Sequence, residues 1–307
     1  MTNAAPQAPA EASRYRNLPA AWSGLMIALT LGAIYLALNQ VLNLGFFVGK
    51  TMLDSSYLYV LAALLAGAVF LLSPATGSAP RDRVPWYDAL LFALMAAVFA
   101  YFAWNGQRIV EEAWEFMAPD TAVWVAGLGW LLLLEATRRA GGTTVAIVVA
   151  LFSFYPVFAE IMPGPISGLG QDLRTTAGYH FTSSESVMGI PTRAFGELVI
   201  GFVMFGAALQ FTGAAQFFNN LALALFGAVR GGPAKVAIFA SGLMGSVSGS
   251  VVSNVLTTGV VTIPAMKRTG FSPAYAGGVE ACASTGGVLM PPVMGATAFI
   301  MASFLGK

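Results

Sequence analysis

The sequence has little charge, a single cysteine and a single histidine. Asp, Glu, Lys and Arg make up 9% of its 307 residues, and 57% of the residues are hydrophobic. Soluble domains carry about 25% charged residues. So little charge cannot cover a water-soluble globule, and the lipid bilayer is the solvent that fits this composition. One cysteine, Cys282, excludes a disulfide within the chain, and one histidine excludes a multi-histidine metal site.

Other functional classes also lack their sequence signatures. The net charge of +1 provides no basic field that attracts nucleic acid. No GxSxG, Walker or CxxC motif occurs. We therefore expect no enzyme, no ATP-driven pump and no nucleic-acid partner, and we assign no catalytic residue and no organic cofactor.

Long apolar runs account for the hydrophobic content. A membrane-spanning helix needs about 20 mostly apolar residues. Five apolar runs precede residue 165, and two more follow, over Phe195–Phe211 and over about 273–305. These five are Ala21–Leu44, Tyr57–Leu72, Trp86–Trp104, Ala122–Ala136 and Thr143–Met162. The sequence predicts an all-α integral membrane protein with about seven membrane-spanning helices, one re-entrant helical hairpin and an interrupted helix.

Lysine and arginine in short loops predict the orientation, because cytoplasmic loops are enriched in them. A cytoplasmic N-terminus leaves only Lys50 and Arg108 outside through the fifth run, and it places six arginines inside. Those six are Arg14, Arg16, Arg81, Arg83, Arg138 and Arg139. Between the third and fourth runs, NGQRIVEEAWEFMAPD has apolar residues at helical spacing and predicts one amphipathic helix at the membrane interface.

The stretch between Lys235 and Lys267 carries no charge and is longer than one span requires. Basic residues flank both of its ends, with Arg230 before Lys235 and Arg268 after Lys267. The positive-inside rule then places both ends on the cytoplasmic side. This predicts a re-entrant hairpin over about 233–268, with its tip in the run GSVSGS. Non-helical backbone at such depth needs protein or a water-filled cavity around it.

The apolar run over about 273–305 contains STGG and then Pro291-Pro292. Proline removes a backbone donor and clashes with the preceding helical turn. The helix is therefore predicted to be interrupted near Ser284–Pro292. Secondary transporters use the unpaired backbone groups of such helices to bind sodium and anionic substrates.

Polar oxygens are concentrated at the predicted tip and at the predicted interruption. Sodium prefers oxygen ligands, and Ser246, Ser250, Asn254 and Thr285 are the predicted sodium ligands. The full set of candidate ion- and substrate-binding residues is Ser246, Ser248, Gly249, Ser250, Ser253, Asn254, Thr257, Thr258, Ser284, Thr285, Gly286 and Pro291.

Three further assignments stay open at this point. Glu280 is a candidate coupling acid, with a purely structural acid as the alternative. Arg193 is the nearest candidate to receive a substrate carboxylate. Gly245 and Gly249 form a GxxxG pair, and small residues at that spacing let membrane helices pack closely, so helix packing alone is an alternative reading of the hairpin.

Four segments resemble the membrane permease of TRAP transporters, the tripartite ATP-independent periplasmic transporters. They are RGGPAKVA, SGSVVSNVLTTG, TIPAMKRTGF and EACASTGGVLMPPVMGATAFIM. The resemblance runs from about Met188 to the end and favours the fused permeases of the TAXI subgroup. The Ala/Pro-rich, polar N-terminus predicts a disordered cytoplasmic tail over 1–18. The resemblance implies a small-subunit-like four-helix domain over 19–140, a connecting helix over 141–165 and the N-terminal half of a large permease domain over 166–307.

The resemblance implies a sodium-coupled importer of organic anions in the bacterial inner membrane, fed by a periplasmic solute-binding protein. The family's large subunit has two inverted repeats, each with a hairpin and an interrupted helix. Ser246–Asn254 would be the first hairpin tip and Ser284–Pro292 the first interruption. With one repeat recognised, the chain resembles a permease truncated after it, and the second half would be a required partner. The alternatives are a secondary transporter or channel without a binding protein, and a non-transporting fragment or scaffold.

Overall fold

The computed structural model describes residues 15–45, 52–291 and 294–305, and every regular element within them is a helix. The chain divides into two compact units, Met1–Thr192 and Arg193–Lys307. The first unit holds α1 Ala20–Val41, α2 Asp54–Leu65, α3 Ala68–Leu72, α4 Trp86–Trp104, α5 Gly106–Glu111, α6 Trp114–Met117, α7 Asp120–Gly141, α8 Thr143–Phe158, two short 3-10 turns (Ala159–Ile161 and Gly164–Ile166) and α9 Leu173–Thr182.

The helix α10, Ile190–Ala194, crosses the boundary between the two units. The second unit continues with a π-helical turn, Phe195–Val199. Its α-helices are α11 Ile200–Phe211, α12 Ala214–Phe226, α13 Gly232–Ser248, α14 Val251–Arg268, α15 Pro273–Gly287 and α16 Ala296–Phe304.

Six helical stretches among the described residues are long and apolar enough to cross a membrane. They are Ala20–Val41, Asp54–Leu72, Trp86–Trp104, Asp120–Gly141, Thr143–Ile161 and Ile190–Leu209. The all-α membrane fold is therefore confirmed. The difference from the predicted count of about seven lies in the last apolar run, which is divided into α15 and α16, each shorter than a span requires.

A buried cluster of charges ties together one end of the first unit. Asp88 is fully buried and accepts from Arg16 Nη2 at 2.8 Å and from Arg139 Nη1 at 2.6 Å. The starts of α1 and α4 and the end of α7 therefore meet, as the alternating loop charges predict. Residues 1–14 of the predicted disordered tail lie outside the described residues. The predicted disorder does not extend to Arg16. Its guanidinium is buried and pairs with Asp88, and this pairing fixes its position.

The predicted amphipathic helix between α4 and α7 is wrong in one respect, since two short helices, α5 and α6, replace it. Ala113 has a left-handed backbone, φ 50°, which ends the first helix and starts the second. No glycine or proline marks this break in the sequence. Just before it, the guanidinium of Arg108 donates to the carboxylate of Glu112 at 2.9 Å and lowers the pKa of Glu112.

Aromatic rings fill the centre of the first unit and hold α9 against it. Phe181 of α9 is fully buried and stacks on Phe102 with ring centroids 5.3 Å apart. Gly129 of α7 leaves the room for this ring, since a Cβ there would lie 2.8 Å from Phe181 Cε1.

Candidate ion and substrate site

The hairpin consists of α13 and α14 joined by Gly249 and Ser250. Gly249 has φ 61° and its N–H donates to Gly245 O at 2.9 Å, so a left-handed glycine ends α13. At the turn, the N–H of Ser250 lies 3.4 Å from Ser248 Oγ. The predicted tip is confirmed in position but is shorter than GSVSGS, because Gly245–Ser248 are still helical.

The interruption of the last apolar run is also confirmed. The helix α15 ends at Gly287, and turn hydrogen bonds follow it, from Leu289 N to Gly286 O and from Met290 N to Gly287 O, both 3.1 Å. Pro291 is exposed in this turn. Pro292 and Val293 lie outside the described residues, and the helix resumes with α16 at Ala296.

The hairpin turn lies directly against this interruption. A Cβ built on Gly249 would lie 2.5 Å from the carbonyl oxygen of Met294. Gly295 is buried, and a Cβ there would lie 3.4 Å from Gly249 O. The two segments that the sequence singled out are therefore adjacent in the second unit.

Two glycines allow α13 and α15 to touch through their backbones. A Cβ on Gly245 would lie 2.5 Å from the carbonyl carbon of Gly287, and a Cβ on Gly287 would contact Ser241 O. Close helix packing through a small residue, as the GxxxG pair predicts, therefore occurs at Gly245, and its partner is Gly287. Gly249, the other member of the GxxxG pair, forms the turn instead.

Substituting alanine for Gly245 is expected to destabilise the protein. The added methyl overlaps the backbone of α15, and overpacking of this kind costs about 1–3 kcal/mol. The matched control is Gly278→Ala on α15, where a Cβ meets nothing within 4 Å. Thermal unfolding of the purified protein in detergent measures both. Equal midpoints for the two variants would contradict the close approach of α13 and α15.

Asn254 places a buried amide group beside these glycines. The residue is fully buried, and its Nδ2 donates to Ser241 O at 2.7 Å. Its Oδ1 has no hydrogen-bond partner among the described residues. A buried acceptor without a partner costs about 1–3 kcal/mol, and a bound cation, or a water molecule or other hydrogen-bond donor, would satisfy it.

Glu280 is the centre of a buried hydroxyl cluster that joins α13, α14 and α15. Its Oε1 accepts from Ser241 Oγ at 2.8 Å, from Ser284 Oγ at 3.1 Å and from Thr258 Oγ1 at 2.5 Å, and its Oε2 accepts from Thr262 Oγ1. The carboxyl group is fully buried. Within the described residues, the ion pairs involve other carboxylates, so hydroxyl donors alone satisfy Glu280.

Two of these hydroxyls also have a second acceptor. Thr258 Oγ1 lies 2.8 Å from Asn254 O, and Thr262 Oγ1 lies 3.0 Å from Thr258 O. If the group at position 280 donates a hydrogen bond to Thr262, the threonine proton can turn to that carbonyl. The cluster therefore accommodates either an ionised or a neutral group at position 280.

The remaining candidate residues lie in several different surroundings. Ser246 is buried and donates to Leu243 O of its own helix at 2.7 Å. Thr285 is exposed and donates to Ala281 O at 2.7 Å, unlike the buried Asn254. Gly286, Ser250 and Arg193 are exposed, Ser248 and Thr257 are half-buried, and the side chain of Ser253 lies outside the described residues.

The sodium ligand set therefore stays a prediction. Ser241 and Thr262, two members of the cluster around Glu280, were missed by the sequence analysis. Asn254, Thr258 and Thr262 recur at a spacing of four, which places them on one face of α14. That spacing could have pointed to Thr262. Ser241 carried no comparable signal, because its contact with Glu280 depends on how α13 packs against α15.

A known protein family matches the part of the chain that contains these residues. The family model described as "Tripartite ATP-independent periplasmic transporter, DctM component" matches residues 128–307, which is more than half of the chain. This range contains the hairpin, the interruption and the Glu280 cluster.

Individual relatives match shorter stretches of the chain. A protein of Pseudomonas aeruginosa named "C4-dicarboxylate TRAP transporter large permease protein DctM" is 35% identical over 91 residues, 30% of this chain and 21% of that protein. The protein of the same name from Rhodobacter capsulatus is 34% identical over 91 residues, again 30% and 21%. The uncharacterized protein YgiK of Salmonella typhimurium is 26% identical over 153 residues, 50% of this chain and 32% of that protein.

The chain thus spans between 21% and 32% of the length of these relatives. The comparison with solved structures gives no match.

Proposed function

Because the chain belongs to the family of DctM components of tripartite ATP-independent periplasmic transporters, we propose that it forms part of a sodium-coupled permease that imports small organic anions with a binding protein. The family is one of transporter permeases, not of enzymes. The observation that carries the proposal is the buried, unpartnered Oδ1 of Asn254 beside the packed hairpin and interrupted helix.

The chemistry of this region suits a sodium ion better than a transition metal. Within the described part of the chain, no three His, Cys, Asp or Glu residues form a group that could hold a metal ion. Hydroxyls, an amide oxygen and backbone carbonyls are the groups offered, and these are the ligands that transporters use for sodium. We assign Asn254 as a ligand from its geometry, and Ser246, Ser250 and Thr285 as further ligands from the sequence.

Glu280 is proposed as the acid that couples ion binding to movement of the hairpin. Its carboxyl group touches hydroxyls of both hairpin helices and of α15. One of these, Thr258, also lies within hydrogen-bond distance of the carbonyl of Asn254. A shift of Asn254 on ion binding would therefore be transmitted to Glu280 through Thr258.

The substrate class is proposed to be small carboxylates. The names of two relatives specify C4-dicarboxylates, and uncharged segments with broken helices offer helix ends to anionic groups. The remaining proposed partners are a periplasmic solute-binding protein and a second permease half. Residues 19–140 are proposed to act as a fused small subunit of the TAXI type, in the bacterial inner membrane with a cytoplasmic N-terminus.

Transport by the complete permease in proteoliposomes tests this function. With binding protein and labelled C4-dicarboxylate outside, an inward sodium gradient is expected to raise uptake at least about tenfold over equal sodium on both sides, because sodium entry down its gradient supplies the driving force. Omitting the binding protein is the control and should abolish uptake. Uptake that persists when potassium replaces sodium would refute sodium coupling, and uptake without the binding protein would refute the tripartite assignment.

A further inference from the structure

The groove between α7, α8 and α9 of the first unit has no place in the transport proposal. It encloses about 800 Å³, within the range of about 300–1,000 Å³ typical of ligand sites. Its walls are apolar and aromatic: Val123, Trp124, Leu128, Leu131, Phe154 and Leu173. Three charged residues, Asp120, Asp172 and Arg174, line one end of it.

The length of the groove matches one leaflet of a bilayer. It extends along α7 from Asp120, the first residue of the helix, to Leu131. At about 1.5 Å per residue, this distance is roughly 16 Å. Half of the hydrocarbon thickness of a bilayer is about 15 Å. The charged end therefore lies at the level of lipid headgroups and the apolar end near the membrane centre.

The apolar walls face outward from the unit. Trp124 is 80% exposed and Leu131 is 63% exposed, although both lie on a membrane-spanning helix. The indole N–H of Trp130 behind them already donates to Ser153 Oγ at 3.0 Å. The deep part of the groove, around Leu128, Trp130 and Leu131, thus offers apolar surface, which suits an acyl chain.

The charged end carries both signs. Arg174 pairs with Asp120, and both side chains remain more than half exposed. Asp172 caps α9, and hydrogen bonds from the Thr175 side chain and N–H lower the pKa of Asp172, so it is ionised at neutral pH. A guanidinium binds phosphate in a bidentate manner, whereas two carboxylates attract an ammonium group and repel a headgroup of net negative charge.

We propose that this groove binds one zwitterionic phospholipid, with its phosphate on Arg174, its amine near Asp120 and Asp172, and one acyl chain along α7. The ligand class is a zwitterionic phospholipid, probed with phosphatidylethanolamine, and not an anionic one. This site is independent of the proposed transport function, because none of its residues belongs to the hairpin or to the interrupted helix.

Native mass spectrometry of the full chain tests the proposal. Protein extracted from vesicles of equal phosphatidylethanolamine and phosphatidylglycerol is expected to retain one phosphatidylethanolamine, with a preference of about tenfold over phosphatidylglycerol, which corresponds to about 1.4 kcal/mol. Gly127→Leu should remove the retained lipid, because Gly127 lines the groove and a Cβ there meets nothing within 4 Å. Gly24→Leu on α1 is the matched control, also in open space, and should retain it.

A second variant separates headgroup recognition from folding. Arg174→Gln leaves the apolar groove intact and should reduce the preference for phosphatidylethanolamine toward one, with the acyl chain still bound. Equal retention of both lipids by the original chain, or retention unchanged by Gly127→Leu, would overturn the proposal. So would a lipid-free species with two copies of the chain that Gly127→Leu separates, because the groove would then be an interface.

Discussion

Asn254→Ala is expected to reduce sodium-driven uptake by about tenfold or more and to raise the sodium concentration for half-maximal uptake. The substitution removes the amide oxygen Oδ1, which is buried and has no hydrogen-bond partner among the described residues. A lost ion contact of about 1.4 kcal/mol corresponds to a tenfold weaker affinity. The measurement is uptake by the complete permease with its binding protein, as a function of sodium concentration.

The same substitution should leave the fold intact. It deletes one hydrogen bond, from Nδ2 to Ser241 O, but it also removes an unpartnered buried oxygen, and these two effects oppose each other. Asn220→Ala on α12 is the control, since Asn220 is exposed. Uptake of Asn254→Ala equal to that of the control, with the same sodium dependence and normal expression, would mean that Asn254 only packs the hairpin.

Glu280 variants are expected to separate stability from coupling. Glu280→Ala removes the common acceptor of four buried hydroxyls and leaves a cavity, so the free energy of unfolding should fall by about 2–4 kcal/mol. Glu280→Gln keeps one carbonyl oxygen for Ser241 and Ser284. Its amide can donate to Thr262, whose hydroxyl then turns to Thr258 O at 3.0 Å.

The glutamine variant should therefore melt close to the wild-type temperature and yet lose most of its sodium-driven uptake, because a neutral amide cannot respond to a bound cation as a carboxyl group does. Thermal unfolding and proteoliposome uptake are measured on the same preparations. Wild-type uptake by Glu280→Gln would refute a coupling role and leave Glu280 as a structural acid. Low uptake together with low stability in both variants would show that the hydroxyl cluster requires a carboxyl group to fold.

The sequence predicts the spans well, because bilayer thickness fixes how many apolar residues a helix needs. Ala20–Val41, for example, differs from the predicted Ala21–Leu44 only at its ends. Glycine and proline signals also located the hairpin turn and the interruption of the last helix. They overstated the length of the tip, since one left-handed glycine, Gly249, is sufficient to end α13.

The buried cluster could be predicted only in part. Thr258 and Ser284 were candidates because of their oxygens, and Glu280 because intramembrane acids are rare. Their shared contact depends on the register between three helices, in which Ser241 and Glu280 are 39 residues apart. Pairing at such separation is decided by packing, and local spacing carries no information about it. The break at Ala113 was missed for a related reason, because no glycine or proline marks it.

The Glu280 cluster also limits how the second unit can deform. Its hydrogen bonds fasten α13, α14 and α15 to one carboxyl group, so sliding the hairpin past α15 would strip several buried polar groups of their partners at once. These three helices are therefore expected to travel as one rigid block. The segments expected to bend are the start of α12 and the start of α13, where the capping residues Gly213 (φ 95°) and Gly231 (φ 72°) have open space around their α-carbons.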